Sequence, residues 1–196
     1  GGDNIYSDVR KYDIPFWIKK RLPSWLGGST NGDKLIMPLP GNRTNFRPRS
    51  LKDHAEMYKK QKKIKDYETL KKTTRIVGTW DDHDCGINDA DKHFYDKKRR
   101  QQLHLDFLDV PRDDLERRKN REGIYSSHVV DNIKVILLDV RYHRDAWPWH
   151  LGAKNNSWEE GDILGEEQWK WLESELLVKD DQVDLTLIVS GIQILP

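Results

Sequence analysis

The chain has 196 residues, 36% of them hydrophobic and 34% charged, and its 34 Lys and Arg nearly cancel its 33 Asp and Glu to leave a formal net charge of +1. Eight Trp, seven Tyr and four Phe supply core material that disordered segments lack, so the composition reads as folded and of a length for one domain. The near-zero charge argues against a field that recruits nucleic acid or acidic membrane, no apolar run is long enough for a spanning helix, and the lone Cys85 excludes an internal disulfide framework or a Cys-rich zinc module.

Gly1-Gly2-Asp3 reads as the loop after a strand, and Leu185 to Leu195 as a rising apolar run that includes a buried strand, so the sequence has the look of a fragment of a larger domain. From Asp8 to Arg49 no helical or strand period is sustained, which predicts one long irregular excursion. Ser50 is placed as an N-cap with Asp53 three residues on, opening a charged helix to about Lys72. Arg75 to Trp80 is short, β-branched and apolar, and it runs into the polar Asp81-Asp82-His83-Asp84, which predicts strand and then loop. Lys92 to Leu108 has helical spacing and stops before Pro111. Ile124–Val130 and Ile133–Val140 flank Asp131-Asn132 as a hairpin whose second strand is central and buried. A second irregular, Trp-rich stretch runs from Trp147 to Gly161, and Glu166–Leu177 is a helix with Trp169, Leu172, Leu176 and Leu177 on one face. With the strand that follows, the order is that of an alternating α/β domain without internal repeats.

Acidic residues gather at three strand ends: Asp3 and Asp8; Asp81, Asp82 and Asp84 around His83; and Asp139 after Leu138. Ligands bind at the carboxyl ends of strands in α/β sheets, and carboxylates that converge there repel one another unless a cation sits between them. The arrangement predicts hard or borderline metal ions, against the alternative that these acids are caps and turn residues.

The run Gly78-Thr79-Trp80-Asp81-Asp82-His83-Asp84, with Gly86-Ile87-Asn88-Asp89 behind it and Gly2-Asp3-Asn4-Ile5-Tyr6 upstream, resembles the PhoD-like (alkaline phosphatase D) branch of the calcineurin-like metallophosphoesterases. Leu138-Asp139-Val140-Arg141-Tyr142-His143-Arg144, Leu164-Gly165-Glu166-Glu167-Gln168-Trp169 and Val189-Ser190-Gly191-Ile192-Gln193 extend the resemblance over nearly the whole chain. It implies a four-layer α/β/β/α sandwich with mixed sheets, of which residues 1–196 are a part, and a two-metal site that hydrolyses phosphate mono- or diesters by attack of activated hydroxide. It implies Asp3 as the bridging carboxylate, Asp82 as a metal ligand in the position where the wider superfamily has Asn, and His83 as a contact to phosphate or proton donor to the leaving oxygen; the alternative for His83 is a loop histidine bonded to a neighbouring Asp. Tyr58 matches the tyrosinate that binds ferric iron, or is a core aromatic with its hydroxyl at the surface. Asn88, with Asp89, lines the metal site or shapes the turn; Arg141 clamps phosphate or pairs with a loop acid. Iron with calcium is the implied metal pair. The family's early ligand segment and its Ser-Gly-Asp-Val-His-type segment are not in this sequence, so the activity expected of the whole domain is not expected of the chain alone.

The competing class is a phosphate- or polyanion-binding protein, or an inactive relative. Its support is three basic runs, Lys59-Lys60-Gln61-Lys62-Lys63, Lys97-Lys98-Arg99-Arg100 and Arg117-Arg118-Lys119-Asn120-Arg121, which are interleaved with acids and read as solvated helix faces. The expected partner is a small phosphate ester, not a specific nucleic acid. Two sequons, Asn42-Arg43-Thr44 and Asn155-Asn156-Ser157, accept glycans in a secretory route, giving the expectation of a secreted or secretory-lumen glycoprotein, although no signal peptide is visible.

Overall fold

The structure, a computed structural model, describes residues 2–10, 46–146, 161–178 and 180–193. Both sequons, the middle of the first excursion and most of the Trp-rich stretch lie outside the described residues. The fold is mixed α/β. Strands β1 (Asp8–Arg10) and β2 (Phe46–Pro48) pair antiparallel, so the long excursion returns to the strand it left, a pairing that its irregular composition hid. Helices α1 (Leu51–Lys62) and α2 (Lys65–Thr73) follow, then the short α3 (Asp82–Cys85), α4 (Lys97–Phe107) and a π-helical turn at Glu116–Asn120. Strands β3 (Ser126–Val130), β4 (Ile133–Leu137) and β5 (Leu185–Val189) form one sheet in that order, with α5 (Glu166–Leu177) between β4 and β5 in sequence.

Asp131 and Asn132 make the expected two-residue turn, with Val130 opposite Ile133 and Asp131 at φ +53°, a conformation Asp tolerates. β4 is central, and β5 lies parallel to it. Ile136, Leu138 and Val140 pack with Leu164 and Leu172 in one apolar cluster; Trp80, Cys85, Phe94, Leu105, Val110, Ile124 and Tyr142 form another. Among the described residues no helix is long and apolar enough to cross a membrane.

Several expectations are corrected. The helix from Ser50 is capped as expected, by the Ser50 side chain accepting from the Asp53 N–H, but it breaks at Lys63-Ile64. Lys62 and Lys71 both ion-pair with Asp109, and Tyr67 stacks on Phe107. On one straight helix these lysines would stand about 13.5 Å apart along the axis, too far for one carboxylate, so the bend is what allows both contacts. Arg75–Trp80 is not a strand: β4 already has β3 and β5 on its two edges, and the segment meets the sheet through side chains, Thr79 Oγ1 donating to the Leu138 carbonyl at 2.6 Å. The polar run after it is a helical turn, α3, rather than an open loop, and α4 begins at Lys97, later than the spacing indicates. β5 is not buried: Leu185, Leu187 and Ile188 are each more than 40% exposed. Of the expected face of α5 only Leu172 is buried; Trp169, Leu176 and Leu177 are exposed, and Gln168 joins Leu172 on the inward side.

The basic runs are not uniformly solvated faces. Arg100 is buried against His54, and Arg118 donates to the Val110 and Pro111 carbonyls, so these cations are spent inside the fold.

Candidate metal centre

Four loops meet beyond the carboxyl ends of β4 and β5. Gly2, at φ +113°, lies so close to Asp81 that a Cβ would stand 2.6 Å from the Asp81 Cβ. Gly191 is likewise tight, its Cβ position 2.8 Å from the Trp80 carbonyl oxygen. Both glycines permit an approach that a side chain would block. Arg141, from the loop after β4, ion-pairs with Asp81 and completes the junction. Asp3 follows Gly2 at φ +53°, exposed, and so presents its carboxylate outward over α3. The result is a cluster in which Asp3, Asp82 and His83 offer ligand atoms that all lie within 4.8 Å of one another.

Hydrogen-bond capacity separates the acids that can bind a ligand from those that cannot. A carboxylate has roughly four acceptor sites. Asp139, fully buried, accepts from the Trp80 indole N–H and from the backbone N–H groups of Arg141, Tyr142 and Ile124, all at 2.8–2.9 Å, and therefore has none to spare. Gln168 holds the same residue's backbone from both sides, accepting from its N–H and donating to its carbonyl at 2.8 Å, which explains why α5 turns a glutamine inward. Asp84 accepts from the backbone of Asn4, Ile5 and Asp81 and from the Asn4 amide. Burial pushes its pKa up to about 6 even though those hydrogen bonds pull the other way. Asp84 and Asp139 are thus corrected from candidate ligand clusters to structural acids. Asp82 accepts only two backbone N–H groups, from His83 and Asp89, one on each oxygen, and Asp3 bonds to the Tyr6 hydroxyl. These two keep lone pairs for a cation.

His83 is oriented from behind. Its Nδ1 lies 2.8 Å from Asp8 Oδ1, while the other Asp8 oxygen accepts from the Asn88 N–H at 2.8 Å. A buried carboxylate on Nδ1 holds the proton there and leaves Nε2 as the nitrogen for a ligand or substrate. The ring is held between Tyr6, 4.2 Å away between centroids, and the edge of Phe46 at 5.8 Å. The β1–β2 pairing is what delivers both Asp8 and Phe46 to this histidine. Asp3's charge and its hydrogen bond raise the Tyr6 phenol pKa, so Tyr6 stays protonated and donates to Asp3.

Arg141 is buried, with Nε on Asp81 and Nη2 3.9 Å from Asp82, while its Nη1 is buried and has no partner among the described residues. It is both an ion pair and a held guanidinium with one free donor. Asn88 sits at the edge and spends its amide N–H on Asp89 at 2.6 Å, as the turn-shaping reading requires. Tyr58 is a core aromatic stacked on Phe107, but its hydroxyl is buried rather than at the surface, 2.8 Å from His104 Nδ1. Burial and the Asp84 charge raise its pKa well above the ordinary value, which opposes the tyrosinate that iron binding needs. Two contributors have roles that the sequence did not assign. Asp8, expected with Asp3 in an acidic strand-end cluster, is instead the residue behind His83, 75 positions away. Arg144, buried and close enough to Asp82 and Asp89 to feel their charge, was visible only as the second arginine of the Asp139–Arg144 run.

Comparison with family models, with curated proteins and with solved structures finds no match to this chain.

Proposed function

We propose that this chain carries the metal-binding part of a metal-dependent phosphoesterase of the PhoD-like type, hydrolysing phosphate mono- or diesters within a larger four-layer α/β/β/α sandwich. The observation that carries the reading is the convergence of Asp3, Asp82 and His83 within 4.8 Å, with acceptor sites left open on both carboxylates. Two carboxylates and an imidazole suit a hard or borderline cation, and Cys85, the one soft donor, is buried in an apolar cluster. Iron with calcium remains the pair suggested by the family resemblance. A bound cation supplies Lewis-acid polarisation of the phosphoryl group and acidifies water. Asp3 and Asp82 would hold it, and Asp8 fixes the His83 ring through Nδ1, leaving the Nε2 lone pair for the same cation. The family resemblance makes Arg141 the phosphate clamp, and Asp81 holds its guanidinium in place.

Polyanion binding is supported less well, because Arg100 and Arg118 from the basic runs are buried and Lys62 is paired with Asp109. The test measures metal content in the chain and in Asp82→Ala, then turnover of a chromogenic monoester and diester, with and without chelator, in the larger domain and its Asp82→Ala variant. Stoichiometric metal that is lost in Asp82→Ala supports the site, and chelator-sensitive turnover ranks the two substrate classes. Equal metal content in both proteins would overturn it.

A further inference from the structure

A second polar cleft lies away from the metal cluster, between α2, the Thr74–Gly78 segment, the end of α4 and His128 of β3, with a volume of about 370 Å³. Its apolar lining is Tyr67, Phe107, Leu108 and Val110, with Tyr67 stacked on Phe107. Its cationic lining is Lys71, Arg75 and Arg117. The single acid of the lining, Asp109, is already bound by Lys62 and Lys71. Neither Arg75 nor Arg117 has a carboxylate ion pair among the described residues; Arg75 Nη2 reaches only His128 Nδ1, at 3.3 Å, and the Nε of Arg117 is buried with no hydrogen-bond partner. A buried guanidinium donor left unmet is costly, and it is met best by an oxyanion.

The charges around this wall do not relieve one another. Arg117 feels the like charges of Arg121, Arg118 and Arg75, with Asp114 the nearby acid that offsets them. His128, desolvated and facing Arg117 and Arg75, has its pKa pushed down to about 4, so it is neutral at pH 7 and can accept from Arg75 rather than add a further positive charge. We propose that this cleft binds a small organic anion with a flat apolar body, its oxyanion met by Arg75 and Arg117 and its body lying against Tyr67 and Leu108. The lining holds both cationic donors and apolar surface for the two halves of such a ligand, whereas inorganic anions would leave the apolar lining unused and neutral aromatics would leave the guanidiniums unmet.

The test titrates the purified chain with 2-naphthalenesulfonate, 2-naphthol and inorganic sulfate by calorimetry, alongside Arg75→Gln, Arg117→Gln and Asp82→Ala. The sulfonate is expected to bind at least tenfold more tightly than either comparator. Arg75→Gln, an exposed position that does not endanger folding, is expected to weaken it fivefold or more, as is Arg117→Gln if its melting temperature stays near that of the parent. Asp82→Ala is expected to leave sulfonate binding unchanged, which also keeps this result separate from that of the metal site. Equal affinity for the neutral naphthol, no binding of the sulfonate, no effect of Arg75→Gln, or loss of binding in Asp82→Ala would each overturn the proposal.

Discussion

Asp82 and Asp84 are two residues apart on the same helical turn, both buried, yet they belong to different regions of the molecule. Asp84 faces inward, where the Gly2–Ile5 loop aims its N–H groups, and like Asp139 it spends its carboxylate on several protein donors. Asp82 faces outward to Asp3 and His83, where few donors arrive. The difference teaches that acid type and spacing do not make a ligand. What decides is how many protein N–H groups reach each oxygen, because a saturated carboxylate has no lone pair left to give.

If that account is right, the cost of removing each acid should follow its donor count, and the effect on metal should run the other way. Asp139→Ala is expected to be the most damaging change, about 3–5 kcal/mol in a urea melt, since it leaves four donors unmet around a fully buried site. A cost under about 1 kcal/mol would break the comparison at its strong end.

Acid should test the buried polar groups by a different route. His54 and His104 have pKa values lowered to about 3 by burial, so they stay neutral in the fold while the unfolded chain protonates near the ordinary value of 6.5. Stability they contribute is complete above that value and is lost as pH falls toward 3, a loss of a few kcal/mol for the pair. Asp84, raised to about 6, works in the opposite sense: the native state takes its proton first, so falling pH between about 6 and 3.8 recovers stability. Two histidines against one acid leave a net loss on acidification. Denaturant midpoints from pH 7 to pH 4 for the parent and for His104→Gln check this; an unchanged slope in the variant would contradict it.

Asp82→Ala is expected to cost about 1–2 kcal/mol, for two backbone N–H groups left unmet, while abolishing metal uptake. Asp3→Asn should be the mildest for the fold, within about 0.5 kcal/mol, because Asp3 is exposed and asparagine also tolerates its positive φ. Its metal affinity should still fall, as judged by calorimetric titration with Mn²⁺. A full-affinity Asp3→Asn protein would remove Asp3 from the centre and leave the comparison resting on Asp82 and His83 alone.

Much of the fold was legible where local rules dominate. The Asp131-Asn132 hairpin, the Ser50 cap and the extent of α5 follow from turn chemistry, capping and helical period, each decided by residues within a few positions. Reading failed where distant partners override those rules. Trp169, Leu176 and Leu177 share the period of a buried face, but α5 turns Gln168 inward because the Asp139 backbone needs it. Arg75–Trp80 has strand composition, yet β4 has both edges filled. Tyr58 was legible as an aromatic on α1, but not as a group hydrogen-bonded in the interior to His104, 46 positions away.

By itself the sequence determined the residue types at the strand ends and the α/β alternation, since these depend on composition and short spacing, while Asp3, Asp82 and His83 were singled out by what the family resemblance implies. Only the tertiary structure decided which acids retain acceptor capacity, that Asp8 stands behind His83, and that Arg75 and Arg117 share a cleft with two stacked rings. Each of those outcomes depends on backbone N–H groups and side chains brought together from positions tens of residues apart, and one-dimensional spacing carries no record of where they point.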